Sequence, residues 1–337
     1  MQLFKGHTAD DVWRSAVKTL RTEGAPVQEG RGGATREILR ACFEIERPQQ
    51  RWVVSREPAM NPAFALAEVM WIVNGRNESD FLNFWNTQLP AFAGFGATYH
   101  GAYGYRLRRQ FGLDQLERAF QALQGNPLGR QVVLQIWDPR SDFPREDGSP
   151  VELDIPCNVA SLLKVRNNRL EWTQVMRSND LFLGTPHNFV QFTALQEIMA
   201  GWLGLEMGSY FHLSDSLHVY EESTGSDLRY ADIEPEPNLD SLGLPRDESQ
   251  AILSRLYATT ARMTLPDLPR EELQELALEF EASVAYKNIL TVMGAESARR
   301  RNWQDTAEAL MAHCTNPAYA QMWQRWCKRT GSLNTSR

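Results

Sequence analysis

The chain has 337 residues, 42% of them hydrophobic and 23% charged, enough for a large core built as one big domain or a main domain with an appendage. A formal net charge of −7 argues against bulk binding to nucleic acid or an acidic membrane, and leaves room for a local basic pocket around one phosphate. Four scattered cysteines (Cys42, Cys157, Cys314, Cys327) and six dispersed histidines show no metal-type spacing, no disulfide frame and no HExxH pattern. The opening MQLFKGHTADDVW lacks the apolar core of a signal peptide, and no apolar run approaches the roughly 18 residues of a membrane span. The expectation is a soluble, cytoplasmic protein with reduced thiols and no metal.

In chain order, a first helix is predicted over 8–21, with Thr8 as N-cap, Asp11 three residues on, and Trp13, Val17 and Leu20 along one face. EGRGGATREILRACFEIE reads as a Gly-rich turn feeding an apolar strand. A helix follows over 62–73, where Phe64, Ala67, Glu68, Trp71 and Ile72 fall near i, i+3, i+4 spacing and Gly75 supplies the stop. Residues 94–104 are rich in Gly and Tyr and predict an irregular, ligand-facing loop. QVVLQIW (131–137) reads as a buried strand, and DPRSDFPREDGSP as an exposed polar loop. Two strands, 157–165 and 170–177, are joined by an Asn-Asn turn, followed by a helix over 188–203 and a strand over 206–213. The simplest division is a core over 1–225, an acidic Pro-rich linker over 226–249, and three or four helices over 250–337, broken near Pro266, Pro269 and Pro317.

The chemistry is concentrated between Asp154 and Tyr220, in DIPCN, QVMRSNDLFLGTPHNF and FHLSDSLHVY. A lone Cys is ordinarily an inert small hydrophobe. Cys157, however, stands beside a Pro near a strand start, with Arg177, Asp180 and Asn188 following in a turn-rich segment and His218 and Tyr220 at a strand end. A guanidinium near a thiol stabilises the thiolate and creates an anion site at once.

Those residues resemble the thymidylate synthases and the related pyrimidine nucleotide hydroxymethylases. The family pattern PC, RSxD, FLGxPxN, HxY appears as Pro156-Cys157, Arg177-Ser178-Asn179-Asp180, Phe182-Leu183-Gly184-Thr185-Pro186-His187-Asn188 and His218-Val219-Tyr220. Upstream, AEVMWIVNG, NPLGRQVVLQIWDP and GRGGAT match the family's helix, arginine segment and phosphate loop in order, so the resemblance covers about 31–220. It implies an α/β (α+β) fold with a mixed β-sheet forming a dimer interface, helices around it, and here extra C-terminal helices.

The resemblance also implies roles. Cys157 would attack C6 of the pyrimidine of a nucleoside monophosphate, and 5,10-methylenetetrahydrofolate would supply a carbon to C5. Arg177, Arg31 and Ser178 would hold the phosphate, with Arg130 reaching in from the partner of a homodimer. Asn188 would read the base edge, with Asn158 beside it, and His218 and Tyr220 would face the sugar. Glu68 would organise water and proton transfers. Asp180, Trp85 and Gly184 would hold the folate.

Several positions depart from the synthase pattern. Asn158 follows the nucleophile where a synthase usually carries His, Met176 replaces a Gln, Gln131 follows Arg130 in place of a second Arg, and His187 replaces Phe. GDxH becomes Asp215-Ser216-Leu217-His218, and the chain ends in TGSLNTSR, unlike the short apolar terminus that closes over the folate. MRSND and SLHVY look more like the hydroxymethylases, in which water rather than hydride quenches the exocyclic methylene. The expectation is a hydroxymethyl product with a lean towards uracil; the rivals are a true thymidylate synthase and a catalytically inactive nucleotide binder. A phage origin would place the protein in the cytoplasm of an infected host.

Overall fold

The protein is described from a computed structural model covering residues 1–22, 27–30, 33–220 and 230–331. The first helix, Ala9–Thr22, begins as the sequence predicts. The Thr8 hydroxyl accepts from the Asp11 N–H (3.1 Å) while the Asp11 carboxylate accepts from the Thr8 N–H (2.9 Å). Its apolar stripe, Val12, Trp13, Ala16, Val17 and Leu20, is fully buried.

Eight strands form one mixed sheet: β1 (Gln2–Gly6), β2 (Val27–Gly30), β3 (Gly33–Ile45), β4 (Val133–Gln135), β5 (Asn158–Arg166), β6 (Arg169–Met176), β7 (Asn179–Asp180) and β8 (Glu206–Tyr220). The order is β1-β3-β8-β6-β5-β4, with β2 on β3 and β7 on β8; β1/β3, β6/β8 and β7/β8 are parallel and the remaining pairs antiparallel. The β5–β6 hairpin turns at Asn167-Asn168, whose φ angles of 51° and 60° suit the side chain that tolerates left-handed backbone best.

Two boundaries differ from expectation. The strand expected over 131–137 is paired only at Val133–Gln135, because Ile136 and Trp137 leave the ladder and both donate to the Val159 carbonyl. The strand expected to end at 213 continues to Tyr220, paired with β3 and then β7.

Helices Pro62–Val73 and Thr185–Leu203 lie in the middle of the molecule. Almost every residue of both is buried because other helices cover the side away from the sheet; the first is almost wholly apolar, and the second carries buried polar groups such as Asn188, Gln191, Gln196 and Glu197. The second starts at Thr185, so Asn188 sits inside its first turn rather than capping it.

Beyond residue 230 the described chain forms five helices: Arg246–Arg262, Arg270–Leu278, Val284–Arg300, Gln304–Met311 and Pro317–Thr330. Two breaks carry no Pro, one over 279–283 and one at Asn302, held at φ 61°. These helices share one hydrophobic cluster with the sheet, running from Phe4 to Cys327. At its centre Glu296, fully buried, accepts from Arg299, Arg300 and the Trp326 indole. Arg325 and Arg329 of the last helix donate to the Arg56 and Ala59 carbonyls, just ahead of the Asn61 cap of helix Pro62–Val73. Among the described residues no helix is long and apolar enough to cross a membrane.

Candidate active site

Cys157 immediately precedes β5 and is half-buried. Burial pushes the other three thiols up, Cys327 to about 12, which makes them poor nucleophiles. The strand pairing sets Cys157 against Arg177, whose N–H donates to the Cys157 carbonyl (3.0 Å). The exposed Arg177 guanidinium is held by the carbonyls of Pro156 (3.0 Å) and Ile155 (3.1 Å), so the cation is fixed beside the segment that carries the thiol. Ser178 follows, half-buried, in the link between β6 and β7.

Above this strand end lies Tyr103, in the Gly- and Tyr-rich segment. Burial raises its pKa, the nearby charges of Cys157, Asp154 and Glu68 raise it further, and a hydrogen bond to Asn158 opposes them. In the sequence, the Gly- and Tyr-rich composition of 94–104 is the signal that points to Tyr103.

Glu68 projects from helix Pro62–Val73 towards helix Thr185–Leu203, where His187 Nδ1 lies 2.8 Å from its carboxylate. Both side chains are only about 15% exposed, and the imidazole also packs on the Phe64 ring. Asp180 ends the short β7. Its carboxylate accepts the N–H groups of Phe182 and Leu183, both at 2.7 Å, and burial raises its pKa despite those bonds and the positive charge of Arg56. Gly184 completes this turn; a Cβ there would come within 3.3 Å of Asn179 Oδ1 and 3.4 Å of Asn188 Nδ2.

Asn188 is buried and joined to Asn158 and Asn179, each link 3.3 Å. His218 and Tyr220, two residues apart on β8, present half-buried rings in edge contact with centroids 5.4 Å apart. Arg130 is exposed on the segment leading into β4. Trp85 corrects one expectation: its ring is fully buried against Phe81 and Phe84, because it closes the core side of helix Ser79–Trp85, and it offers no face to a ligand. Arg31 lies outside the described residues.

The arrangement places a half-buried thiol, a fixed cation, a buried amide and a carboxylate–imidazole pair around one sheet end. Residues 12–256 match the family model described as thymidylate synthase. The chain belongs to the thymidylate synthase family. Among relatives, a deoxyuridylate hydroxymethyltransferase of Bacillus phage SP01 is 34% identical over 68% of this chain and 61% of its own length. One of Pseudomonas phage M6, with the same name, is 35% identical over 57% of this chain and 54% of its own. A protein of Methanothermobacter marburgensis, provisionally named a thymidylate synthase, is 28% identical over 62% of this chain and 88% of its own. The chain therefore spans between half and two thirds of the length of the two phage relatives. The mixed sheet with surrounding helices is the architecture that membership of the thymidylate synthase family implies.

Proposed function

We propose that this chain converts a pyrimidine nucleoside 5'-monophosphate, with deoxyuridylate preferred, to its 5-hydroxymethyl derivative by covalent catalysis at Cys157. The observation that carries the hydroxymethyl outcome is the His187–Glu68 pair, 2.8 Å apart. A carboxylate backed by an imidazole can orient a water and take its proton. The phage relatives' names support the same choice of product and base.

In this reading Arg177, Ser178 and Arg31 bind the phosphate, joined across a homodimer interface by the partner's copy of Arg130. His218 and Tyr220 bind the sugar, and Asn188, supported by Asn158, reads the N3–C4 edge of the base. The Cys157 thiolate adds to C6, and electron density moves to C5, which takes up the new carbon. When bound, 5,10-methylenetetrahydrofolate supplies that carbon and departs as tetrahydrofolate. Asp180, with the exposed Leu183 beside it and Gly184 next in the chain, gives a polar partner and an apolar wall that fit a pterin ring. The C5 proton is lost to a base of the site, water held by Glu68 adds to the exocyclic methylene carbon, and expulsion of the Cys157 thiolate restores the ring. One nucleotide, one folate and one water give one hydroxymethyl nucleotide and tetrahydrofolate. A reaction that uses a free nucleotide, a folate and a reactive thiol fits a cytoplasm, that of a host cell if the gene is a phage's.

Mass spectrometry of products from deoxyuridylate, deoxycytidylate, uridylate and cytidylate, each with methylenetetrahydrofolate, tests this. A gain of CH2O with tetrahydrofolate formed is expected. A gain of CH2 with dihydrofolate formed makes the chain a thymidylate synthase instead, and no product from any of the four leaves a nucleotide binder.

A further inference from the structure

Behind Asn188 runs a continuous line of buried polar groups. On one side Asn158 Nδ2 donates to Asn188 Oδ1 (3.3 Å), Gln174 Nε2 donates to Asn158 Oδ1 (2.8 Å), and Gln174 Oε1 accepts from the Trp172 indole (3.2 Å) and the Ser161 hydroxyl (2.6 Å). On the other side Asn188 Nδ2 donates to Asn179 Oδ1 (3.3 Å), and Asn179 Nδ2 meets Ser214 Oγ and His212 Nε2, both at 3.0 Å. His212 Nδ1 in turn meets the Tyr210 hydroxyl at 2.9 Å. Every member is buried.

The two ends differ chemically. A serine or tyrosine hydroxyl can donate or accept, and a neutral imidazole can exchange tautomers; burial keeps His212 neutral by lowering its pKa to about 3. The His212 end can therefore serve the relay in either polarity. Trp172 cannot, because an indole N–H only donates. It compels Gln174 to turn its oxygen inwards, and each amide after it is then set in sequence: Gln174 donates to Asn158, Asn158 donates to Asn188, and Asn188 is left with Oδ1 towards Asn158 and Nδ2 towards Asn179.

We propose that Trp172 and Gln174, neither in the first circle around the nucleotide, determine which pyrimidine base the site accepts by fixing the polarity of the Asn188 amide. The proposal rests on the reading that Asn188 faces the base edge. Uracil offers N3–H and a 4-oxo group, whereas cytosine offers a bare N3 and a 4-amino group, so the two need opposite orientations of the same amide. Only the orientation compatible with Trp172 keeps every buried amide bonded.

The polarity can be reversed at a distance. In Gln174→Glu both carboxylate oxygens accept, one from Trp172 and Ser161, the other from Asn158, and these three donors favour the ionised acid. Asn158, Asn188 and Asn179 then each turn over, and His212 changes tautomer to follow. In Gln174→Met the relay has no director. The readout is the ratio of dissociation constants for deoxyuridylate and deoxycytidylate by calorimetry, which needs neither folate nor turnover. Whichever base the wild type prefers, Gln174→Glu should shift the ratio by about 10²-fold towards the other, and Gln174→Met should bring the ratio towards one. A ratio unchanged in the folded Glu variant, or in the Met variant should the first fail to fold, overturns the proposal. Tight binding without product from the wild type overturns the one-carbon reading alone, and binding of neither nucleotide overturns both.

Discussion

His187 Nδ1 and the Glu68 carboxylate meet at 2.8 Å although they lie 119 positions apart and on different helices. The contact joins the helix that follows the Asp180 turn to the helix that carries the proposed base. His187→Phe keeps the packing on Phe64 but removes the nitrogen. Loss of a charge-assisted hydrogen bond of this kind is expected to lower the rate of hydroxymethyl formation by about 10–100-fold with little change in nucleotide affinity. Single-turnover kinetics beside nucleotide calorimetry would show it; an unchanged rate would remove His187 from the chemistry.

Removing the nucleophile separates enzyme from binder. Cys157→Ala should reduce turnover by at least about 10³-fold while leaving the nucleotide dissociation constant within about tenfold of wild type. Retained turnover in this variant would mean that another group attacks the base.

Tyr103 supplies a hydroxyl to Asn158 close to Cys157. Tyr103→Phe leaves the ring and strips one hydrogen bond from the residue next to the nucleophile. A fall in kcat of about tenfold is expected, read from steady-state kinetics with the unfolding midpoint as control. A loss of stability with kcat intact would assign Tyr103 to packing alone.

Glu296 has no exposure, and Arg299, Arg300, Trp326 and Asn61 all turn hydrogen-bond donors to it. Glu296→Ala leaves two guanidinium groups without their anion and should cost about 3–5 kcal/mol, measured by urea unfolding. A change below about 1 kcal/mol would show that water or the backbone replaces the carboxylate.

Acid sensitivity has a predicted source in His212. Its folded pKa, lowered by burial to about 3, lies below the ordinary value of 6.5, so the unfolded chain binds the proton first. The stability this contributes is present above pH 6.5 and is lost as the pH falls from 6.5 towards 3. Urea midpoints between pH 7.5 and 4.5 should fall for the wild type and fall less steeply for His212→Asn; parallel slopes would locate the acid sensitivity elsewhere.

Local chemistry was well written in the sequence. Thr8 and Asp11 announce a capping box, Asn167-Asn168 a tight turn, and the motif order from Pro156 to Tyr220 the family. Each of those signals is carried by neighbours in the chain. The pairing of His187 with Glu68, the hydroxyl of Tyr103 and the line from Trp172 to His212 are made by side chains brought together from separate strands and helices. Substitution of Phe by His at 187 was visible as a departure, but its partner was not. Trp85 misled for the converse reason: an aromatic in a family-like segment was assigned to a ligand, and the packing of Phe81 and Phe84 encloses it. The expected three or four terminal helices became five because two breaks, at 279–283 and at Asn302, carry no Pro or Gly; at the second an Asn takes the left-handed backbone instead.

The carbonyls of Arg56 and Ala59 are gripped by Arg325 and Arg329, and the chain enters the Glu68 helix only a few residues later. The last described helix and the proposed base are thus in mechanical series. Fraying, cleavage or a fused partner at that helix would loosen the lead-in to the Glu68 helix together with the core that Tyr319, Met322, Trp323 and Cys327 fill. An assay of hydroxymethylation and a melting curve should both register such damage, because the same helix also fills part of the core.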